Sequence, residues 1–362
     1  MSSNLEVLKL SVFGESHGRA IGFTLEGLPE GKKVSEAAVQ AFVDRRKSRG
    51  GYATARREAD EVEFLSGLKN GYTTGAPVCA VILNSDARSA DYNKLKDTPR
   101  PSHCDYAAMQ KYGEWCDLAG SGHFSGRLTA PLCAAGGVAA EILKDSGIRA
   151  AAYIAELGGI PLSSYRNGVP SLADVVEAHN SELPILCEEK REELIRLLDQ
   201  ARAEGDSLGG VVELVAYHVP AGLGGPLYEG LEGRLASMFF AIPAVKGVEF
   251  GDGLHISALK GSEANDAFRY EDGKVVTATN RSGGINGGIS NGMEITARIA
   301  FRPTPSIAKP QKTVNLISCT DTEIRIKGRH DSCIVPRAVV CTEAAASLII
   351  LDAMMENASR RI

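Results

Sequence analysis

Residues Glu188 to His218 read EEKREELIRLLDQARAEGDSLGGVVELVAYH, and a change of rhythm inside that stretch decides the fold class. Up to Ala203 the apolar residues Leu194, Ile195, Leu197, Leu198 and Ala201 gather on one side of an amphipathic helix. Gly205 then supplies a stop, because glycine takes the left-handed cap conformation without a steric penalty. From Val211 to His218 the period falls to two, as in a strand with one buried face. A helix and a strand joined by a Gly-rich turn over 205–210 call for a mixed α/β chain.

The same two rhythms recur outward in both directions. Period-2 alternation predicts strands near Leu8 to Val12, Ile21 to Leu25, Val62 to Leu65, Val78 to Leu83 and Ile295 to Phe301. Ser35 is placed to cap a helix running to about Arg46, and Pro131 opens an Ala-rich helix that Gly147 closes. A long Ala- and Leu-rich helix over about Arg337 to Asn357, after Pro336, is expected to run through the core. No fixed repeat, low-complexity tract or Pro/Ser-rich linker divides residues 1–362, so the expectation is one domain.

The chain has 362 residues, 44% of them apolar, which suffices for a large core. A formal charge of -5 and a pI near 5.9 argue against nucleic acid or an anionic membrane as the general partner, so any anion site must be local. The eight cysteines form no C-x-x-C pair and no zinc-like Cys/His cluster, and no metal is expected. With no export signal and no stretch approaching the ~18 apolar residues of a membrane span, the expected location is the cytoplasm.

Several segments combine residue types suited to chemistry. Gly14-Glu15-Ser16-His17-Gly18 sets an imidazole between glycines just after a strand, where backbone approaches a ligand closely. Arg100-Pro101-Ser102-His103-Cys104-Asp105-Tyr106 holds a second imidazole beside Arg100 on a backbone stiffened by Pro99 and Pro101. Arg45, Arg46, Lys47, Arg49, Arg56 and Arg57 crowd together with no acidic residue among them, which favours an anion clamp over a solvated charge run. The Gly-rich stretches 120–127 and 283–290 expose backbone amides able to cradle phosphate, or else are tight turns; neither carries a nucleotide-binding signature. In Gly328-Arg329-His330-Asp331, Asp331 is placed either to orient a proton carrier or to pair with an arginine at a helix start.

Taken in order, GESHG (14–18), RPSHCDY (100–106), SGR (125–127), AIPAVKGVEFG (241–251), GGINGGISNG (283–292) and GRHD (328–331) resemble the motifs of the chorismate synthase family, over about Val7 to Leu351. The resemblance implies a single-domain β-α-β sandwich with helices between antiparallel sheets, assembled as a homotetramer. It implies conversion of 5-enolpyruvylshikimate 3-phosphate to chorismate and phosphate, a 1,4-anti elimination with no net redox change. Reduced FMN (FMNH2) is the implied cofactor, kept reduced by an external flavin reductase or reductant, and NADP is associated with the family.

Carried over by motif, His17 would protonate or hydrogen-bond the departing phosphate and His103 would set the protonation state of reduced flavin. Ser16 and Asp331 would relay protons. Flavin contacts map to His123, Phe124, Ser125, Pro243, Ala244, Gly287, Arg302, Pro303, Thr304, Pro305, Ser306 and Arg329. Arg46, Arg49, Arg100 and Arg127, with Arg329, would face substrate, NADP or the flavin phosphate. The chain departs from the commonest pattern at His123-Phe124, where many members have Arg-Ser, at Leu128, where many have Glu, and at Arg302, where many have Lys. A second arginine usual after the basic run is missing, with Arg49 a candidate substitute. Two other readings of the same residues are a flavin- or NADPH-dependent oxidoreductase, which would consume reductant in proportion to product, and a non-enzymatic phosphometabolite sensor.

Overall fold

The computed structural model describes residues 1, 5–47, 59–84, 97–326 and 331–360. One antiparallel sheet has four strands in the order Lys9–Gly14, Ala20–Glu26, Val78–Leu83, Glu63–Ser66. A second has five, in the order Val245–Phe250, Ile295–Phe301, Gly210–Tyr217, Arg149–Leu157, Ile160–Pro161, again all antiparallel. Helix Thr129–Lys144 packs on the first sheet, helix Val335–Ser359 packs on the second, and the two helices pack on each other. The fold is therefore mixed α+β, with helices layered between antiparallel sheets.

The residue pattern explains that layering. In Val78–Leu83 the alternate residues Val78, Ala80 and Ile82 are buried, and Ala80 and Val78 lie opposite Phe23 and Leu25 of the neighbouring strand. Val78, Ala80, Phe23 and Leu25 join one hydrophobic cluster that continues through Ala134 and Val138 to Ala344 and Leu348, then to Val212 and Leu214 of the second sheet, while Ile82 packs in a smaller cluster with Ile21, Leu128 and Ala130. Burial of each such leucine or valine stabilises the fold by roughly 2 kcal/mol. The helices approach closely where Gly136 faces Ala344: a Cβ on Gly136 would stand 2.3 Å from the Ala344 Cβ.

The expected caps are present. Ser35 Oγ accepts from Ala38 N at 3.2 Å, and Gly147 and Gly205 have φ of +76° and +67°. Helix Arg191–Ala203 follows a single 3-10 turn over Glu188–Lys190 and buries Leu194, Leu198 and Ala201. Ile195 is a correction: it is 38% exposed, because the i, i+4, i+7 stripe from Leu194 leaves the next residue about 100° off the core face.

Strand Arg149–Leu157 escapes the alternation test because both its faces are covered and its alanines serve either side. The absence of a span-like segment also needs correction. Val335–Ser359 is long and apolar enough by composition, with a mean hydropathy of 1.8, but 89% of that window is buried inside the fold. It is a core helix.

Candidate active site

The turn Glu15–Gly18 between the first two strands is pressed against the loop 117–124 that leads toward helix Thr129–Lys144. Ser16 N donates to Gly122 O at 3.1 Å, and Gly18 N closes the turn on Glu15 O at 3.1 Å. Gly120, at φ +58°, leaves room for the imidazole of His17; a Cβ there would lie 2.6 Å from both Cδ2 and Nε2 of His17. Ser16 is 1% exposed, and its Oγ has no hydrogen-bond partner among the described residues. Burial, and then the neighbouring Asp117 carboxylate, raise the pKa of Glu15 above the usual carboxylate value.

His103 reaches the same loop from the other side. Its Nε2 lies 3.2 Å from Ser121 Oγ, between Gly120 and Gly122. Its Nδ1 lies 2.7 Å from Asp105 Oδ1, which assigns the Nδ1 proton to that carboxylate and leaves Nε2 to exchange a proton. Arg100 grips Asp105 through Nε and Nη2, each at 2.7 Å, and also reaches Ser121 Oγ and Ser306 Oγ at 3.3 Å. Burial would raise the pKa of Asp105, but Arg100 and His103 hold it well below the usual carboxylate range. His103, Cys104 and Asp105 also put three potential metal ligands within 4.8 Å of one another. Asp105, however, is committed to Arg100, and burial with the adjacent Asp105 pushes the Cys104 thiol up to about 11, so these groups suit a hydrogen-bond network.

Of the basic run, the described members face different ways. Arg46 and Arg127 share the buried carboxylate of Asp60: Arg46 Nη2 donates to Oδ2 at 2.6 Å and Arg127 Nη1 donates to Oδ1. Burial raises the pKa of Asp60, but Arg46 and then Arg127 outweigh it and keep the carboxylate ionised. Two cations on one anion leave a net positive charge, and the buried Nε of Arg46 has no partner among the described residues.

Arg45 instead turns to the core, where it grips Glu343 at 2.5 and 2.8 Å, while Lys47 pairs with Asp44 at 2.6 Å. The run is therefore not one clamp. Its acidic partners lie outside the run, Asp44 just before it and Asp60 and Glu343 farther along the chain, which counting acids within the run does not reveal. Arg49, Arg56 and Arg57 lie outside the described residues, as does Arg329.

The segment after strand Ile295–Phe301 closes the cluster. Arg302 donates from Nη2 to Ser102 O at 2.6 Å and from its backbone N to Ala244 O at 3.0 Å. Ser306 is buried beside Arg100, and Thr304 O accepts from Ser207 Oγ at 2.7 Å. Asp60, Ser102, Ser121 and Ala244, all in this region, have φ between +46° and +75°, a conformation that costs an ordinary side chain on the order of 1 kcal/mol or more. Concentrated strain of this kind marks a site whose geometry is fixed by its surroundings.

A family model described as chorismate synthase matches residues 8–355. The chain belongs to the chorismate synthase family. The chorismate synthase of Pyrococcus abyssi is 46% identical over 349 residues, covering 96% of each chain, and that of Methanosarcina barkeri is 44% identical over 355 residues, covering 97% of this chain and 95% of the relative. A crystal structure of chorismate synthase superposes with a TM-score of 0.78 at 30% identity, covering 98% of this chain and 93% of the other. The activity is that of a shikimate-pathway lyase acting on a small phosphorylated substrate.

The flavin contacts implied by the resemblance can be checked for fit. Tyr112, His123 and Phe124 form an aromatic cluster with the His123 and Phe124 centroids 4.2 Å apart, a surface suited to a planar ring. The orphaned Ser16 Oγ and the backbone of the Gly120–Gly122 loop offer polar groups to its edge. These residues fit a flavin. Ala244 and Arg302 to Ser306 lie beside the Arg100–His103 segment, whereas Gly287 does not. Its hairpin packs against Gly225 and Gly230 at the opposite end of strand Ile295–Phe301, roughly 20 Å away. A Cβ on Gly287 would meet nothing within 4 Å. Asp331 pairs with Arg337 at 2.6 Å in the first turn of the last helix, and Arg337 Nε donates to Arg46 O at 3.0 Å.

Sequence reasoning gave no role to Asp60 and Asn84, which no motif contains, or to Asp105 and Ser121, which lie inside quoted segments. The spacing His103-x-Asp105 was the available signal for Asp105.

Proposed function

We propose that the chain catalyses the 1,4-anti elimination of phosphate from 5-enolpyruvylshikimate 3-phosphate beside the Gly120–Gly122 loop that His17 and His103 both touch, using reduced FMN. When bound, the flavin supplies transient electron donation and an acceptor for the ring proton. Arg46 and Arg127 attract the substrate's anionic groups, and Asp60 keeps their net charge at +1 rather than +2. His17 Nε2 donates a proton or hydrogen bond to the departing phosphate, which lowers the charge that develops on its oxygen. His103, held by Asp105, keeps Nε2 available toward the ring system through Ser121. Ser16 passes a proton between the turn and the flavin edge, and Asp331 tunes Arg337 and, through it, the backbone of Arg46.

The observation that carries this reading is that both imidazoles abut one three-residue loop, Gly120–Gly122, beside a net positive arginine pair. If Gly287 contacts flavin it does so on another copy of the chain, as in the homotetramer that the resemblance implies. Cys133 and Cys341, unbonded with Sγ atoms 3.7 Å apart, favour a reducing cytoplasm, and we assign reduction of the flavin to an external reductant. The test is anaerobic phosphate release with photoreduced FMN: many phosphates per flavin, with no stoichiometric oxidation, support the elimination. Oxidation of one reductant per product would instead support an oxidoreductase, and binding without release a sensor.

A further inference from the structure

Between the arginine pair and the His17 turn stands one side chain that no motif includes. Asn84 follows strand Val78–Leu83, and its own N–H donates to Arg19 O at 3.1 Å. Its Nδ2 donates to Glu15 O at 3.1 Å and to Gly18 O at 2.8 Å, bracing both ends of the turn that carries Ser16 and His17. Its Oδ1 accepts from Arg127 Nε at 3.0 Å, and Arg127 is tied through Asp60 to Arg46. The amide orientation is fixed by chemistry: two carbonyls require the NH2 end, and a guanidinium requires the oxygen.

We propose that Asn84 is a positioning residue that sets the distance between the anion-holding Arg127 and the imidazole of His17. The inference rests on His17 acting on the phosphate that the arginines hold. A substrate gripped at one end of this strut has its leaving group presented to an imidazole fixed at the other, and a misplacement of about 1 Å between such groups can cost on the order of 100-fold in rate. Asn84 touches neither reacting atom; it acts through the two groups that do.

The chemistry at position 84 also separates the two halves of the strut. In Asn84→Asp the carboxylate still accepts from Arg127 but turns oxygens toward two carbonyls, so the His17 side is repelled while the arginine side survives. Asn84→Ala releases both.

The experiment measures steady-state phosphate release, substrate KM and Tm for wild type, Asn84→Ala, Asn84→Asp, His17→Ala and the Asn84→Ala/His17→Ala double variant, all with photoreduced FMN under anaerobic conditions. The expected result is a fall in kcat of about tenfold or more in both Asn84 variants, with KM within roughly threefold in Asn84→Ala and raised in Asn84→Asp, where the added carboxylate cancels the net charge of the arginine pair. The double variant should be no slower than His17→Ala alone, because without the imidazole there is no distance from Arg127 left to set. If Asn84→Ala were unstable, Asn84→Asp, which keeps the Arg127 contact, would carry the same comparison. Wild-type kcat in both Asn84 variants, or an equal fold loss from Asn84→Ala with and without His17, overturns the inference. A near-normal rate in His17→Ala removes the reading on which it rests, and the inference with it.

Discussion

The two histidine segments meet the same turn of chain, yet they are held there by different forces. His103 is held by charge: Asp105 fixes its ring, Arg100 fixes Asp105 in two places, and the Arg100–Asp105 link is buried. His17 is held by shape and backbone: Ser16 N–H on Gly122 O, an amide brace from Asn84, and a gap that exists only because residue 120 lacks a Cβ. The difference predicts that the His103 side fails when a charge is removed, whereas the His17 side fails when a methyl group is added.

The largest effect should come from Asp105→Asn. It strips the counter-charge from Arg100 and frees the wrong nitrogen of His103, so turnover should drop by about 100-fold or more, and a buried unpaired guanidinium should cost about 3–5 kcal/mol of stability by denaturant unfolding. Activity within a few-fold of wild type would mean that charge does not organise this side.

Arg45→Ala is the control for a buried charge pair that has no part in the site. Removing Arg45 from Glu343, which keeps His179 and the Ala152 N–H as partners, should cost about 1–3 kcal/mol in stability while leaving substrate saturation near wild type. Arg46→Ala should in addition raise the substrate concentration needed and flatten its dependence on ionic strength.

The same pair gives a pH signature. Burial would raise the pKa of Glu343, but Arg45 and then His179 hold it down to about 2. A depressed carboxylate contributes stability that is full above the unfolded value near ~4.5 and is lost as pH falls through the folded value. Wild-type Tm should therefore fall as pH drops from about 5 toward 2, with on the order of 3 kcal/mol at stake, and Arg45→Ala, in which the Glu343 pKa is depressed less, should lose less stability over the same interval.

The smallest effect, and the sharpest for the comparison, is Gly120→Ala. The added carbon displaces His17 without touching any charge, so kcat should fall about tenfold with flavin binding retained and a stability loss of roughly 1–2 kcal/mol from the left-handed backbone. An equally large loss of flavin binding would show that the His17 side is not held by space alone.

Much of this was legible in the sequence. The period change around Gly205, the Ser35 cap and the strands Val78–Leu83 and Ile295–Phe301 follow from side chains that report one buried face. Arg149–Leu157 does not, because alanine fills either face of a doubly covered strand without leaving a rhythm. In the site, His17 and His103 announce themselves by residue type between glycines and prolines. Asp60 and Asn84 do not, since their roles depend on distant partners that only tertiary structure supplies. Arg45 and Arg46 show the same limit: neighbours in sequence, one serves the core and the other the anion site.

The central claim is that two imidazoles act on one substrate from either side of the Gly120–Gly122 loop. Single-turnover phosphate release under anaerobic conditions, with saturating photoreduced FMN and 5-enolpyruvylshikimate 3-phosphate, tests it directly when wild type is compared with His17→Ala and His103→Ala. The account predicts that each variant binds both ligands and releases phosphate about 100-fold more slowly or worse. Release at a near-wild-type rate by either variant would contradict it.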